Sequence, residues 1–212
     1  MKKIKMFSVA AAFGGILLAT GCASTKPFDP SEGGPGIRDP RTISHEEMRL
    51  VAREAVADLL VSERFTEYLE KFKAENNGRR PVLKLAATVN GTNDPDLNTT
   101  IIDKMLERAL FNSKKVDVSR VEGNDRIQGI ADSRLIENDP NFKQDTVAQR
   151  GTLIAASLVM RPTVVSNTTR DGRISSHSRF FEVEVSQIKE GTLVWTFNKE
   201  LGFVKTRGAV GW

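Results

Sequence analysis

The chain has 212 residues, 39% of them hydrophobic and 27% charged, with a formal net charge of +4 and a single cysteine. Three of the positive charges, Lys2, Lys3 and Lys5, precede an apolar run at the N-terminus, so the remainder is close to neutral and offers nucleic acid no electrostatic footing. One cysteine excludes a disulfide framework and a cysteine-based metal centre, and leaves core packing to hold the fold.

The first residues read as a sorting signal. Met6 to Ala19 is apolar or small, about the length of a secretory core and short for a membrane span. Leu18-Ala19-Thr20-Gly21-Cys22 then fits a lipobox: an aliphatic residue, small residues, and the thiol that is acylated. The expectation is a signal peptide over 1–21, cleaved before Cys22, with palmitate-type acylation of that cysteine. Two or more acyl chains, at about 0.8 kcal/mol per buried methylene, anchor a protein far more firmly than one. Ala23 follows where an aspartate would retain the protein in the inner membrane, so the expected address is the outer membrane, facing the periplasm.

Residues 22–42 read as the lipidated cysteine and a linker. Pro27, Pro30, Pro35, Pro40 and the run Gly33-Gly34-Pro35-Gly36 leave too little apolar surface to fold. Fully stretched, such a segment spans about 70 Å.

The globular body, expected over 43–212, opens at Ser44-His45-Glu46-Glu47, a capping box. Met48, Val51, Ala52, Ala55, Val56, Leu59 and Leu60 recur at helical spacing, and Phe65, Tyr68, Leu69 and Phe72 continue the pattern. Ser62 between them allows one bent helix or two, ending at Asn77-Gly78. Pro81 to Val89 predicts a strand with Leu83, Leu85, Ala87 and Val89 on one face. After the polar loop Asn90 to Leu97, Asn98 is expected to cap a helix with Ile101, Ile102, Met105, Leu106, Ala109 and Leu110 inward. Val116 and Val118 mark a short strand, and the strand–helix–strand order favours a parallel crossover. Weaker helical patterning surrounds Ile127, Ile130, Ala131 and Leu135. Thr152 to Val165 reads as a strand, Thr168 to Gly172 as a polar turn, Ile174 to Ile188 as a strand, and Leu193 to Phe197 as its hairpin partner. The fold class is α+β, a mixed sheet of four to five strands packed with helices.

Chemistry is sparse. His45 and His177 are the two histidines, and His177 lies between serines with no nucleophile elbow, so both read as surface residues. No metal-ligand or phosphate-loop spacing occurs, and no cofactor is implied. Asn90, Asn98 and Asn167 stand in N-x-T sequons and read as loop and cap residues. Two surfaces stand out as partner-binding candidates: a basic hairpin tip with Arg170, Asp171, Arg173 and Arg179, and the loop carrying Asn93, Asp94 and Asp96.

One order of motifs resembles a known family. Asp58 to Phe65 with its Ser-x-Arg-Phe turn is followed by the Pro81-led strand ending in Asn90-Gly91-Thr92. Asp96 to Lys104 then opens a helix, and Glu190-Gly191-Thr192-Leu193-Val194-Trp195 closes a hairpin. From about Ile43 onward this is similar to the LpoB family of outer-membrane lipoproteins that activate class A penicillin-binding proteins. The resemblance implies a fold similar to the N-terminal domain of TolB and no catalytic activity. It also implies binding to a noncatalytic docking domain of a class A penicillin-binding protein and stimulation of peptidoglycan synthesis; a monomer is expected. The alternative is a structural envelope adaptor with the same fold and a different protein partner.

Overall fold

A computed structural model of the protein describes residues 43–123, 127–172 and 174–206. The signal segment, Cys22, the linker and Arg173 lie outside the described residues.

Two helices start the body. Helix α1 spans His45–Val61 and α2 spans Glu63–Glu75. The chain breaks between them because Ser62 leaves helical geometry (φ −64°, ψ 121°). Its amide still donates to the Asp58 carbonyl while its hydroxyl accepts from the Phe65 amide, so one residue ends α1 and caps α2. The capping box at Ser44 forms as the sequence suggests: the Ser44 amide donates to Glu47 Oε2 at 2.8 Å and the Glu47 amide to Ser44 Oγ at 3.2 Å.

Strands β1 (Val82–Leu85) and β2 (Val89–Gly91) replace the single strand expected over 81–89. Helix α3 (Thr100–Ser113) leads to β3 (Asp117–Val118), and the short α4 (Gln128–Ser133) opens an irregular stretch with one 3-10 turn at Gln144–Thr146. Three long strands finish the fold: β4 (Leu158–Asp171), β5 (Ile174–Gln187) and β6 (Leu193–Thr206). The sheet order is β3-β1-β4-β5-β6, with β2 also pairing β4. Pairings β1–β3, β1–β4 and β2–β4 are parallel, as a strand–helix–strand crossover requires, and the two hairpins are antiparallel. This is the mixed α+β sheet expected, with six strands.

Helices cover one face of the sheet. Leu158, Met160 and Val164 of β4, Phe181, Val183 and Val185 of β5, and Leu83 and Leu85 of β1 point into that core. There they meet Val51, Ala55 and Leu59 of α1 and Ile102, Leu106 and Leu110 of α3. On the other face Arg161, Val165 and Glu182 are exposed. Burial raises the hydroxyl of Tyr68 on α2 above the ordinary phenol range, against the opposing effect of its hydrogen bond with Ser157.

Several expectations shift. The inward alternation of Leu83 and Leu85 does not continue through Ala87 and Val89, which are exposed, while Thr88 is buried. Leu85 pairs with Met160 and Val89 with Thr163, so the gap holds one more residue than the facing stretch of β4, and the phase reverses. Pro162 stands opposite this gap. Lacking an N–H, it offers β1 and β2 no donor there. Thr88 instead turns its amide (3.2 Å) and hydroxyl (2.5 Å) to Asp103 Oδ1 of α3. Helix α3 begins at Thr99 as N-cap, not Asn98, and Thr99 makes no side-chain cap bond. Strand β4 starts at Leu158 rather than Thr152, and it continues through the expected turn at 168–170 to Asp171, where Gly172 (φ +54°) reverses the chain. Strand β6 runs well past Phe197.

Gly123 fixes another close approach. At φ +87°, a Cβ there would lie 2.4 Å from the Leu85 carbonyl oxygen, so this loop packs directly on the end of β1.

Asp103 is the polar joint of the sheet's break, and it is 1% exposed. Asp103→Ala is expected to lower unfolding stability by about 1–3 kcal/mol, because a buried amide and hydroxyl lose their acceptor. Urea denaturation checks this, and an unchanged midpoint would contradict the role assigned to it.

Candidate partner-docking site

The sequence offers two separate candidate surfaces, and the fold brings them together. A cleft of about 670 Å³ is lined on one side by Thr92, Asn93, Asp94, Pro95 and Asp96, and on the other by β4 and β5 residues that include Thr168, Arg170 and His177. Ile43, where the described chain begins, contributes to its wall.

The loop wall is held by its own side chains. Asn90 Oδ1 accepts from the Thr92 amide (2.9 Å) and hydroxyl (2.6 Å), and Asn90 Nδ2 donates to the Asp94 carbonyl at 2.8 Å. Thr92 Oγ1 accepts from the Asp94 amide, and Asp94 Oδ1 accepts from the Asp96 amide at 3.0 Å. Short polar side chains that bond backbone two residues onward stabilise tight loops in this way. The Asn93 amide then donates to Ser166 Oγ at 3.2 Å, which ties the loop to β4. Asn93 and Asp96 are exposed, and Asp94 is partly so.

The ribbon wall belongs to the outer half of the β4–β5 hairpin. Thr168 faces His177 in register, and their side chains meet at 3.0 Å between Thr168 Oγ1 and His177 Nδ1. Ser175 Oγ lies 3.2 Å from the other ring nitrogen. Two hydroxyls therefore hold the ring as a polar cross-strand cluster. Arg170 and Asp171 are exposed beside the turn, as expected of a hairpin tip. Their expected neighbour Arg173 lies outside the described residues.

Arg179 is not part of that tip. It stands on the inward row of β5 with Phe181, Val183 and Val185, and is 3% exposed. Its guanidinium Nη1 donates to both oxygens of Glu47, at 3.1 and 3.0 Å. Charge suggested a tip residue, whereas strand parity dictates an inward one. The row passes the N-terminus of α1, where the capping-box carboxylate is waiting. Glu47 thus accepts from the Ser44 amide and from Arg179 together, which ties the start of α1 to the ribbon wall of the cleft. The signal was present in the sequence, because 179, 181, 183 and 185 share one parity and Glu47 occupies the third helical position.

Among the described residues no group of three or more His, Cys, Asp and Glu side chains could hold a metal ion, and no helix is long and apolar enough to cross a membrane. Asp94 and Asp96 put acidic groups on one wall of the cleft, and Arg170 puts a basic group on the other.

The family model described as peptidoglycan-synthase activator LpoB matches residues 47–201. Among solved structures, the LpoB C-terminal domain from Escherichia coli aligns at 14% identity and a TM-score of 0.43, covering 73% of this chain and 98% of that one. The LpoB C-terminal domain from Salmonella enterica aligns at 14% identity and a TM-score of 0.33, covering 63% and 91%. Lipoprotein GNA1162 from Neisseria meningitidis aligns at 10% identity and a TM-score of 0.34, covering 61% and 88%. No curated protein matches.

The Glu47–Arg179 pair gives a direct test of how the cleft is built. With the two side chains 19% and 4% exposed, removal of one partner leaves the other largely desolvated. Arg179→Met is expected to cost about 3 kcal/mol, and Glu47→Gln added to it should recover part of that loss. Additive effects of the two substitutions in chemical denaturation would contradict the coupling.

Proposed function

The chain belongs to the LpoB family of peptidoglycan-synthase activators, and we propose that it is a lipid-anchored outer-membrane lipoprotein whose body docks on a class A penicillin-binding protein and raises its rate of glycan-strand synthesis. The observation that carries this reading is the extent of the family match. It runs from Glu47, in the capping box, to Leu201 on β6, and so includes both walls of the cleft. An activator of this kind needs no catalytic group of its own. It shifts the synthase toward its active state by binding that state more tightly than the resting one, and the shift is limited by the difference in affinity.

The cleft is the proposed contact surface. Asp94, Asp96 and Asn93 face Arg170 across it, with Asp171 and Arg173 following in the sequence and Arg179 acting beneath as a residue that ties the ribbon to α1. A surface with one acidic and one basic wall orients a partner of complementary charge, which governs encounter rate and register more than final affinity. Anchoring is assigned to acylation of Cys22, with residues 23–42 as the tether between membrane and body.

Purified synthase assayed on lipid-linked precursor should make glycan strands at least about fivefold faster with this protein present, the lower range of ordinary allosteric coupling. Failure to co-purify with any class A synthase, together with an unchanged rate, would overturn the reading. Asp96→Lys and Arg170→Glu should each weaken binding severalfold, by an amount that shrinks as salt is raised. Equal affinities at low and high salt would place the contact elsewhere. Cys22→Ala should abolish labelling by a palmitate analogue and release the protein from the membrane fraction, whereas a labelled variant would refute Cys22 as the acylation site.

A further inference from the structure

Strand β4 outlasts its neighbour. On the side away from β5 it pairs with β1 and then with β2, and the pairing with β2 ends where Gly91 meets Val165. The strand itself runs on to Asp171, still paired with β5 on its other side. Its last residues therefore form an edge inside the sheet's outline, and that edge opens into the cleft.

Strand geometry decides which residues offer their backbone there. In an extended strand the N–H and C=O of successive residues point to opposite sides. The Met160 carbonyl accepts from the Ala86 amide, so even-numbered residues of β4 serve the β1–β2 side. Alternation then puts odd-numbered residues of β4 on the β5 side; just before the strand the Ser157 carbonyl already accepts there from the Ile188 amide, while its own amide still turns to the Val82 carbonyl of β1. By the same alternation Thr168 and Arg170 direct their N–H and C=O away from β5, past the end of β2. Among the described residues no backbone donor or acceptor pairs with either on that side.

We propose, on the basis of the activator reading above, that the synthase is held by strand addition: an extended segment of its docking domain lies against Thr168 and Arg170 of β4, continuing the line of β2 through the cleft. Main-chain hydrogen bonds supply the fit in this mode, and pockets for alternate side chains supply the choice of partner. The setting matches both requirements. The cleft is about 670 Å³, enough for several side chains and not for a folded domain. Loop 92–96, fixed to Ser166 through the Asn93 amide, stands as a wall beside the incoming strand. Asp94 and Asp96 on that wall favour a basic side chain in the segment, and Arg170 favours an acidic one next to the turn.

Proline substitution separates backbone recognition from side-chain recognition. Thr168→Pro deletes the outward N–H without removing a bond to β5, and β4 already accommodates Pro162 at the same parity. Thr168→Val keeps the N–H and discards the hydroxyl. With the full chain in detergent and the purified ectodomain of a class A synthase as probe, Thr168→Pro should weaken binding about tenfold, and Thr168→Val less than about threefold. Exchange of the Thr168 and Arg170 amides in the unsubstituted chain should slow on adding the synthase, a reading that holds even where the proline variant folds poorly.

Binding by the unsubstituted chain, with unchanged amide exchange and equal affinity for the proline variant, would overturn strand addition and leave the activator reading standing. No binding by the unsubstituted chain would overturn both. Protection of the two amides before any synthase is added would also overturn the proposal, in favour of a second copy if it rises with concentration, or of the chain's own tether if it does not.

Discussion

The carboxylate of Glu47 is where the molecule is joined. It closes the first turn of α1 by accepting from the Ser44 amide, and it accepts both contacts from Arg179 on the central hairpin. Farther along α1, Glu54 meets Lys199 at 2.9 Å and Asp58 accepts from Trp195 Nε1 at 2.7 Å, so the helix is stitched to β6 as well. These contacts differ in weight. The Glu54–Lys199 pair is more than a third exposed and adds little, as surface pairs do. The Glu47–Arg179 pair is largely desolvated, and an unpaired charge there is costly. It fixes the direction in which the chain enters the body and the height at which the β4–β5 ribbon leaves it. The cleft lies between that ribbon and the loop 92–96.

The second determinant is the parity of β4. Its even-numbered side chains build the core through Leu158, Met160 and Val164, and the same residues serve the parallel neighbours with their backbone. Pro162 falls in that row. Where it withholds a donor, β1 gives way to β2 and Thr88 finds Asp103 instead. Beyond Val165 the row continues with no strand paired on that side among the described residues. Packing, the break in the first strand and the open edge are three consequences of one alternation.

Legibility in the sequence follows the same physics. Both helix starts, the core face of α3, the parallel crossover and the closing hairpin could be read, because each has one buried face that imposes a period. The outer half of β4 could not. From 166 to 170 the residues are Ser, Asn, Thr, Thr and Arg, mostly wet, and a strand without a buried face resembles a turn. Strand β6 reads short in the sequence for a related reason, since Asn198, Lys199 and Glu200 interrupt its apolar run. The charge of Arg179 suggests the hairpin tip, whereas its parity points inward. The loop at 92–96 and the hairpin were each recognisable as exposed polar surface. Nothing in a linear pattern could say that Asn93 meets Ser166, because that contact depends on β2 and β4 lying side by side.

In the proposed activator role the cleft is the surface that meets the synthase. Backbone amide shifts of the isotopically labelled chain, followed by NMR as the synthase ectodomain is added, test it most directly. The largest changes should fall on residues 92–96, 166–170 and 177–178, the two walls of one cleft. Changes confined to the open face of the sheet, around Arg161, Val165 and Glu182, would contradict it.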